Sequence, residues 1–328
     1  MARASKEILQ SAVIGFGIPA ILLVLAIVFC LPGKHVSQTP SGSTATMEQA
    51  TQGTEKPTPS WIINVLVDGQ MQQMDLEEYV LGVVLSEMPA SFEMEALKAQ
   101  AVAARTYAIK TCSDRKKHDG AVCDNHSCCQ GYMTNEDYLQ RGWKETYVER
   151  VRSAVAETAG QILTYDGKPI RATYFSCSGG NTESAIAVWG RDYPYLQSVE
   201  SPGEEETVYY TDSKRFTLEE FQEKLGITLE GEPGTWFGDI TYTTGGGIDT
   251  MQIGGVDYRG TTLRSLLGLR STVFYVVVDQ ESVMFETHGY GHRVGMSQYG
   301  ADAMALEGFS YDQILAHYYR GTQLAWVE

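Results

Sequence analysis

Positive charge is scarce in this chain: 25 Lys and Arg stand against 41 Asp and Glu over 328 residues, a formal net charge of −16. That shortage excludes a nucleic-acid binder, which needs a basic face to displace phosphate counterions. It also excludes attachment to anionic lipid or wall polymer by charge alone. No HExxH pair occurs, so the pattern that sets two His and a Glu base on one helix face for zinc peptidase chemistry is missing. No repeat period is evident either. What is plentiful is aromatic surface, with 19 Tyr and 5 Trp, which suits a ligand gripped by stacking and hydrogen bonds.

The one long apolar run is Ser11 to Leu31, without a charged residue, and such a length crosses a hydrocarbon layer of ~30 Å. Arg3 and Lys6 precede it, so the positive-inside rule puts residues 1–10 in the cytoplasm as a short tail and everything after residue 34 outside. The run is longer than a cleaved signal peptide requires and no small-x-small site follows, which favours an uncleaved signal anchor over 11–33. Residues 34–60 are rich in Ser, Thr, Gln, Gly and Pro and form a disordered linker. From Trp61 to the end the chain has the character of a folded domain. Asp68-Gly69 and Asp166-Gly167 mark hairpins. The pattern predicts helices over 75–88, from an N-cap at Ser91, over 143–159, 218–225, near 297–307 and over 311–319, with strands filling most of 240–278. Helices and strands are segregated more than alternated, which predicts an α+β class, a helical region packed on antiparallel strands around a cleft.

The first helix carries the residue of greatest chemical interest. Leu76, Val80, Val83 and Val84 make an apolar stripe, and Glu87 falls on it where Leu or Val belongs. Pro89 ends the helix just beyond. Burial and the negative end of the helix dipole both disfavour the anion and raise the pKa, which is what a general acid requires. The bland alternative is a half-solvated Glu at a helix end. Gly82, Ser86 and the turn at Pro89 favour a cleft.

Three further constellations stand out. His118, Cys123, His126, Cys128 and Cys129 fall within twelve residues of polar loop. Zinc binds such ligands tetrahedrally, and a disulfide of Cys123 with Cys128 or Cys129 is the alternative outside the membrane. With no Glu base beside it, a metal here is structural. Tyr174, Ser176 and Ser178 with Gly179-Gly180 set hydroxyls and bare backbone on a strand exit, while Cys177 among them reads as packing. His292, Arg293, Ser297 and Gln298 lie in a glycine-framed loop suited to binding, where Arg293 could meet a carboxylate such as a lactyl group.

The stretches DLEEYVLGVVLSEMPASFEMEALKAQAVAARTYA, CCQGY, YFSCSGGNTESA and GHRVGMSQYGADAMALEGFSYDQILAHYY resemble, in order, the stage II sporulation protein D family. The resemblance implies a membrane-anchored lytic transglycosylase that cuts peptidoglycan between N-acetylmuramic acid and N-acetylglucosamine during engulfment, preferring glycan stripped of peptides, alongside stage II sporulation proteins P and M. It implies Glu87 as the catalytic acid, Tyr174 and Ser176 as substrate contacts, and a zinc loop of His118, Cys123 and Cys129. Cys128 stands where the family commonly has His, and joins them as the fourth candidate ligand. The domain would face the septal space from the mother-cell membrane. A hydrolase would need a second carboxylate, for which Glu183 is the nearby candidate. Non-catalytic amidase enhancers share the fold and supply the alternative, a wall-binding module. The partners of Glu87 are expected from Tyr174, Ser176 and the 288–299 loop rather than from the zinc cluster.

Overall fold

The computed structural model describes residues 61–327; the expected tail, anchor and linker lie outside them. Among the described residues no helix is long and apolar enough to cross a membrane.

Strands Ile62–Val67 and Gln70–Asp75 form the expected hairpin around Asp68-Gly69. Helix α1 (Leu76–Glu87) starts at Asp75, whose side chain accepts from the Glu77 and Glu78 amides at 2.8 and 3.3 Å. It ends as Met88 turns extended ahead of Pro89. The single stripe expected for α1 understates its burial: Leu76 and every residue from Tyr79 to Leu85 are buried. Helix α2 (Met94–Asp114) explains this, because it packs on α1 and is itself buried over most of its circumference, with alanines that let backbones approach. Its start differs from expectation. Ser91 caps nothing, Glu93 is the extended N-cap, and the Glu93 amide donates instead to Asp302 at 2.7 Å.

Helix α3 (Asn135–Gln140) and helix α4 (Glu145–Glu157) follow. The helix expected from Trp143 begins later because Lys144 is extended, and Trp143 stays outside to stack on Tyr138 at 4.4 Å. Strand Gln161–Tyr165 pairs with only Lys168–Pro169 on one side and with the C-terminal strand Gln323–Trp326 on the other. Helix α5 (Ala185–Trp189) closes the middle of the chain.

A second hydrophobic core then appears, separate from the one around α1 and α2. It holds Phe216, Phe221, Phe274 and Phe285 with Ile248, Met251 and Leu263. Helix α6 (Leu218–Leu225), helix α7 (Gly260–Leu267) and two three-stranded sheets enclose it. Its first strand, Thr211–Thr217, pairs along its whole length with its last, Ser282–His288, so the chain comes into this lobe and leaves it side by side. Helix α7 lies where strands are expected: Leu263 and Leu267, four apart, point into the core, and Gly268 caps the end at φ 64°. Helices α8 (Gln298–Leu306) and α9 (Tyr311–Tyr318) return to the first core.

The fold is α+β, with small sheets that are mostly antiparallel. The two parallel pairings are the ones that assemble the site. Val65 and Leu66 pair with Val122 and Cys123, and Tyr174 and Phe175 pair with Met296 and Ser297.

One buried ion pair ties the helical layer together. The Arg105 side chain is fully buried in α2 and donates to both carboxylate oxygens of Glu77, at 2.9 and 2.5 Å, and to the Gln161 carbonyl at 3.0 Å. Glu77 in turn accepts from the Gly160 amide at 3.0 Å, which joins α1, α2 and the turn after α4. Removing one partner of a buried pair strands the other. Arg105→Met is therefore expected to lower folding stability by about 3–5 kcal/mol, measured by chemical denaturation of the full-length chain.

Candidate active site

Glu87 occupies the last position of α1, and its Oε1 accepts from the Gly131 amide. Gly131 follows the Cys-rich loop, so the loop expected to stand apart from Glu87 is what grips it. Glycine is needed for this approach: a Cβ at 131 would lie 2.7 Å from Ser86 Oγ and 2.9 Å from Glu87 Oε1. Gly82, one turn and a half earlier, does the same for Tyr132, whose ring a Cβ at 82 would strike, and its carbonyl accepts from the Met133 amide at 3.3 Å. The Glu87 carbonyl accepts from Gln298 Nε2 at 3.1 Å. Burial raises the Glu87 pKa above its ordinary value, against smaller downward pulls from the Gly131 amide and from His126.

A short polar chain leads from α1 to the opposite wall. The Tyr79 hydroxyl donates to Gln130 Oε1 at 3.3 Å, and Gln130 Nε2 donates to the Tyr174 hydroxyl at 2.8 Å. Because Tyr174 accepts there, its own proton is free to point elsewhere. Burial, then the nearby Glu87 carboxylate, push the Tyr174 pKa well up, so it stays a neutral donor. His292 Nδ1 accepts from the Val294 amide at 3.1 Å, which leaves the proton of the neutral ring on Nε2. Burial, with help from Arg264, pushes its pKa down to about 4.

Glu87, Tyr174, Ser176, His292 and Gln298 line one cleft of about 810 Å³. Aromatic side chains border it as well: Tyr138 and Trp143, and Tyr209, which packs against Tyr290 and Tyr299 at 6.1 and 5.6 Å. Tyr290 and Tyr299 belong to the 288–299 loop expected to supply partners of Glu87; Tyr138, Trp143 and Tyr209 come from elsewhere with no shared motif, so no local spacing could have grouped them with it. A second cavity of about 400 Å³ adjoins the first and shares Glu87, His126, Tyr174 and His292 with it.

Ser178, Arg293 and Ser297, singled out with these residues, lie behind the cleft wall with no exposed surface. Ser178 and Ser297 both donate to Glu204, which lies in the acidic stretch 204–206. Glu204 Oε2 accepts from the Ser178 amide and hydroxyl at 2.7 Å each and from Gly179 at 3.2 Å; Oε1 accepts from Ser201 at 2.8 Å and from Ser297. Cys177 is buried beside it, and burial with the Glu204 charge pushes its thiol far up, consistent with packing. Arg293 sits at φ 65°, a left-handed position that few arginines take. Its guanidinium holds it there by donating to the Ser178, Asn181 and Gly245 carbonyls at 2.6 Å each and to Glu183 at 3.2 Å. Gly245 belongs to the second lobe, so Arg293 pins that lobe to the cleft wall. Glu183 is consumed by this pairing.

His118, Cys123, Cys128 and Cys129 converge, each offering a ligand atom within 4.8 Å of the others, and none of the three cysteines is in a disulfide. Zinc about 2.3 Å from each sulfur would set ligand atoms roughly 3.8 Å apart. His118 Nε2 lies 3.4 Å from Cys128 Sγ, so the donor set fits such an ion. His126 is not among the four; it is exposed at the cleft.

A family model described as Stage II sporulation protein matches residues 68–165. Stage II sporulation protein D of Bacillus subtilis (strain 168) is 42% identical over 262 residues, covering 78% of this chain and 76% of that protein. The protein of the same name from Bacillus amyloliquefaciens is 38% identical over 325 residues, 94% of both chains. The chain belongs to the stage II sporulation protein D family. An amidase enhancer of Bacillus subtilis (strain 168) is 30% identical over 305 residues, covering 74% of this chain and 40% of that protein. Within this sporulation family the matched stretch 68–165 carries Glu87, the His/Cys cluster and Gly131 together. Tyr174 and His292 lie beyond it; Tyr174 is on the strand that pairs in parallel with Met296–Ser297, and His292 is in the loop just before those two residues.

The raised Glu87 pKa has a consequence for stability. The folded state binds this proton more tightly than the unfolded chain, so the group's contribution is complete below its ordinary value of 4.5 and is lost as pH rises through the higher folded value. Glu87→Gln, which cannot titrate, is expected to melt above the wild type at pH 7 and to converge with it at acid pH. Thermal melts across that range test this; a constant offset would contradict it.

Proposed function

We propose that this chain is a membrane-anchored lytic transglycosylase that cleaves the bond between N-acetylmuramic acid and N-acetylglucosamine in peptide-free peptidoglycan, leaving 1,6-anhydro ends. One observation carries the reading: among the described residues bordering the cleft and its adjoining cavity, Glu87 is the only Asp or Glu. Hydrolysis by a carboxylate pair needs a second acid roughly 5–9.5 Å from the first. Glu183 is tied to Arg293 outside both cavities and does not serve. A lone carboxyl can still do both proton transfers when the nucleophile is the substrate's own hydroxyl. Glu87, whose proton burial holds more tightly than in water, gives that proton to the glycosidic oxygen as the bond to C1 breaks. The resulting carboxylate takes the proton from the muramic C6 hydroxyl, whose oxygen closes on C1. The Tyr174 hydroxyl and His292 Nε2–H are donors beside the reacting bond, and Ser176 and Gln298 border it. The flanking aromatic rings offer faces to sugar rings.

On this reading zinc, held by His118, Cys123, Cys128 and Cys129, supplies order to the loop and no step of the reaction. It fixes the backbone that presents Gln130 and Gly131 to Tyr174 and Glu87. The 11–33 anchor, the 34–60 linker and an extracytoplasmic domain from residue 61 place the site at the septal wall, where stage II sporulation proteins P and M would work beside it. The similarity to an amidase enhancer supports a second reading, a module that binds glycan without cutting it.

Products separate the two. Incubation with denuded glycan is expected to release anhydro-muramoyl fragments, lighter by one water than hydrolytic ones in mass spectrometry. Glu87→Gln is expected to lower the rate by about 10²–10⁴-fold, the usual contribution of a general acid. Unaltered glycan would support the binding module, and reducing-end muramic acid would support a hydrolase. Stripping metal with a chelator is expected to abolish turnover and to be reversed by zinc; activity that survives complete removal of bound metal would rule out the ordering role.

A further inference from the structure

The cavity that adjoins the cleft differs from it in charge. Lys117 and Arg171 border it, in a chain whose net charge is −16. Arg171 lies on the segment leading into the Tyr174–Phe175 strand, and its guanidinium makes no hydrogen bond or ion pair among the described residues. Its donors are thus open to a ligand that enters the cavity. Lys117 also borders the cavity; its Nζ donates to the Cys128 carbonyl and lies 3.9 Å from Cys128 Sγ. Both cations act on the Tyr107 phenol between them: burial raises its pKa, while Lys117 and Arg171 pull it down. The only carboxyl bordering this cavity is Glu87, neutral in the state that begins the proposed reaction. Two positive charges thus border a space of about 400 Å³; Lys117 also lies beside the Cys128 sulfur of the candidate metal cluster, whereas no anion pairs with Arg171 among the described residues.

We infer that the Arg171–Lys117 cavity is an anion subsite, and that its occupant is the free lactyl carboxylate of a muramoyl residue bearing no peptide. This rests on the proposed function and deepens it. A carboxylate there meets a planar donor fork on Arg171 and a point charge on Lys117. Glu87 lies at the junction of cavity and cleft, so the muramoyl ring that receives the attack lies on the Arg171 side. The leaving N-acetylglucosamine then lies on the aromatic side, toward Tyr209, Tyr290 and Tyr299. An amide-linked stem peptide neutralises that carboxylate and adds bulk, so the subsite selects stripped glycan. Arg293, the sequence's candidate for this contact, is buried in its own hydrogen bonds and cannot make it.

Binding tests this without turnover. The full-length chain in detergent, carrying Glu87→Gln, is titrated by calorimetry with three muramoyl–glucosamine oligosaccharides: one with free lactyl carboxylates, one with these reduced to alcohols, and one with peptides attached. The free carboxylate form is expected to bind about tenfold more tightly than the alcohol, the usual size of a charge-assisted contact. Adding Arg171→Gln is expected to erase that difference while leaving alcohol binding unchanged, and Arg171→Lys to restore part of it. Equal affinity for carboxylate and alcohol overturns the inference, as does equal weakening of both by Arg171→Gln. Peptide-bearing glycan bound as tightly as the free form, or no binding of any of the three, overturns it too. If Arg171→Gln does not fold, the comparison of carboxylate with alcohol decides alone. Absence of anhydro product from the wild type would count against the reaction and leave these affinities as they are.

Discussion

The hydrogen bond from the Gly131 amide to the Glu87 carboxyl is the contact on which the site depends. It opposes burial. Desolvation alone would drive the carboxyl far up in pKa and let its side chain seek water past Pro89; one backbone donor holds the oxygen in place and moderates the shift. The donor must come from glycine, because any side chain at 131 would occupy the space of Ser86 and Glu87. It must also come from a loop that does not move. Little apolar surface anchors that loop: of residues 117–130, Ala121, Val122, Cys123 and Gln130 are buried. A two-residue parallel pairing and the His/Cys cluster do the rest.

Two other buried charges shape the cleft from behind. Glu204 gathers the Ser178–Gly179 turn, Ser201 and the N-cap of α8 onto one carboxylate, and so sets where Ser176 and the Tyr209 loop can lie. Arg293 threads backbone carbonyls from both sides of the lobe boundary. A buried charge satisfied by backbone partners is costly to displace, so these residues make the wall rigid where a glycan strand would press on it. Arg105 with Glu77 does the same for the helices.

Much of this was legible before any coordinates, and the failures have physical causes. Both Asp-Gly turns, the α1 N-cap and the α1 stop at Pro89 rest on local chemistry, and local chemistry decided them. The acid on the apolar stripe of α1 was visible as an anomaly of period. Ser178, Arg293 and Ser297 misled because polar residues in glycine-framed loops look alike whether they face a ligand or a buried counter-charge. Glu204, 26 residues from Ser178, distinguishes the two cases for the serines, and Glu183 with the Asn181 and Gly245 carbonyls does so for Arg293. Helix α7 was hidden by Thr and Gly, whose local preference is against helix, until burial of Leu263 and Leu267 outweighed it. Gly131 was missed for the opposite reason. It lies beside a cluster conspicuous enough to draw attention from it, and nothing local shows that its amide points at a carboxyl 44 residues away.

The chain's acidity and the character of its cleft are then two sides of one solution. On the proposed function, a protein of net charge −16 that meets an anionic wall polymer gains nothing from long-range attraction. Affinity has to come at short range, from aromatic faces and neutral donors such as Tyr174 and His292, both kept uncharged by burial. Against that background positive charge at a single cavity carries information. Spread over the surface it would hold any wall polymer; confined beside Glu87 it can report on one carboxylate of the residue about to react. On the proposed function, the cations bordering the site, Arg171 and Lys117 at the cavity and Arg264 at the cleft, serve selection more than adhesion.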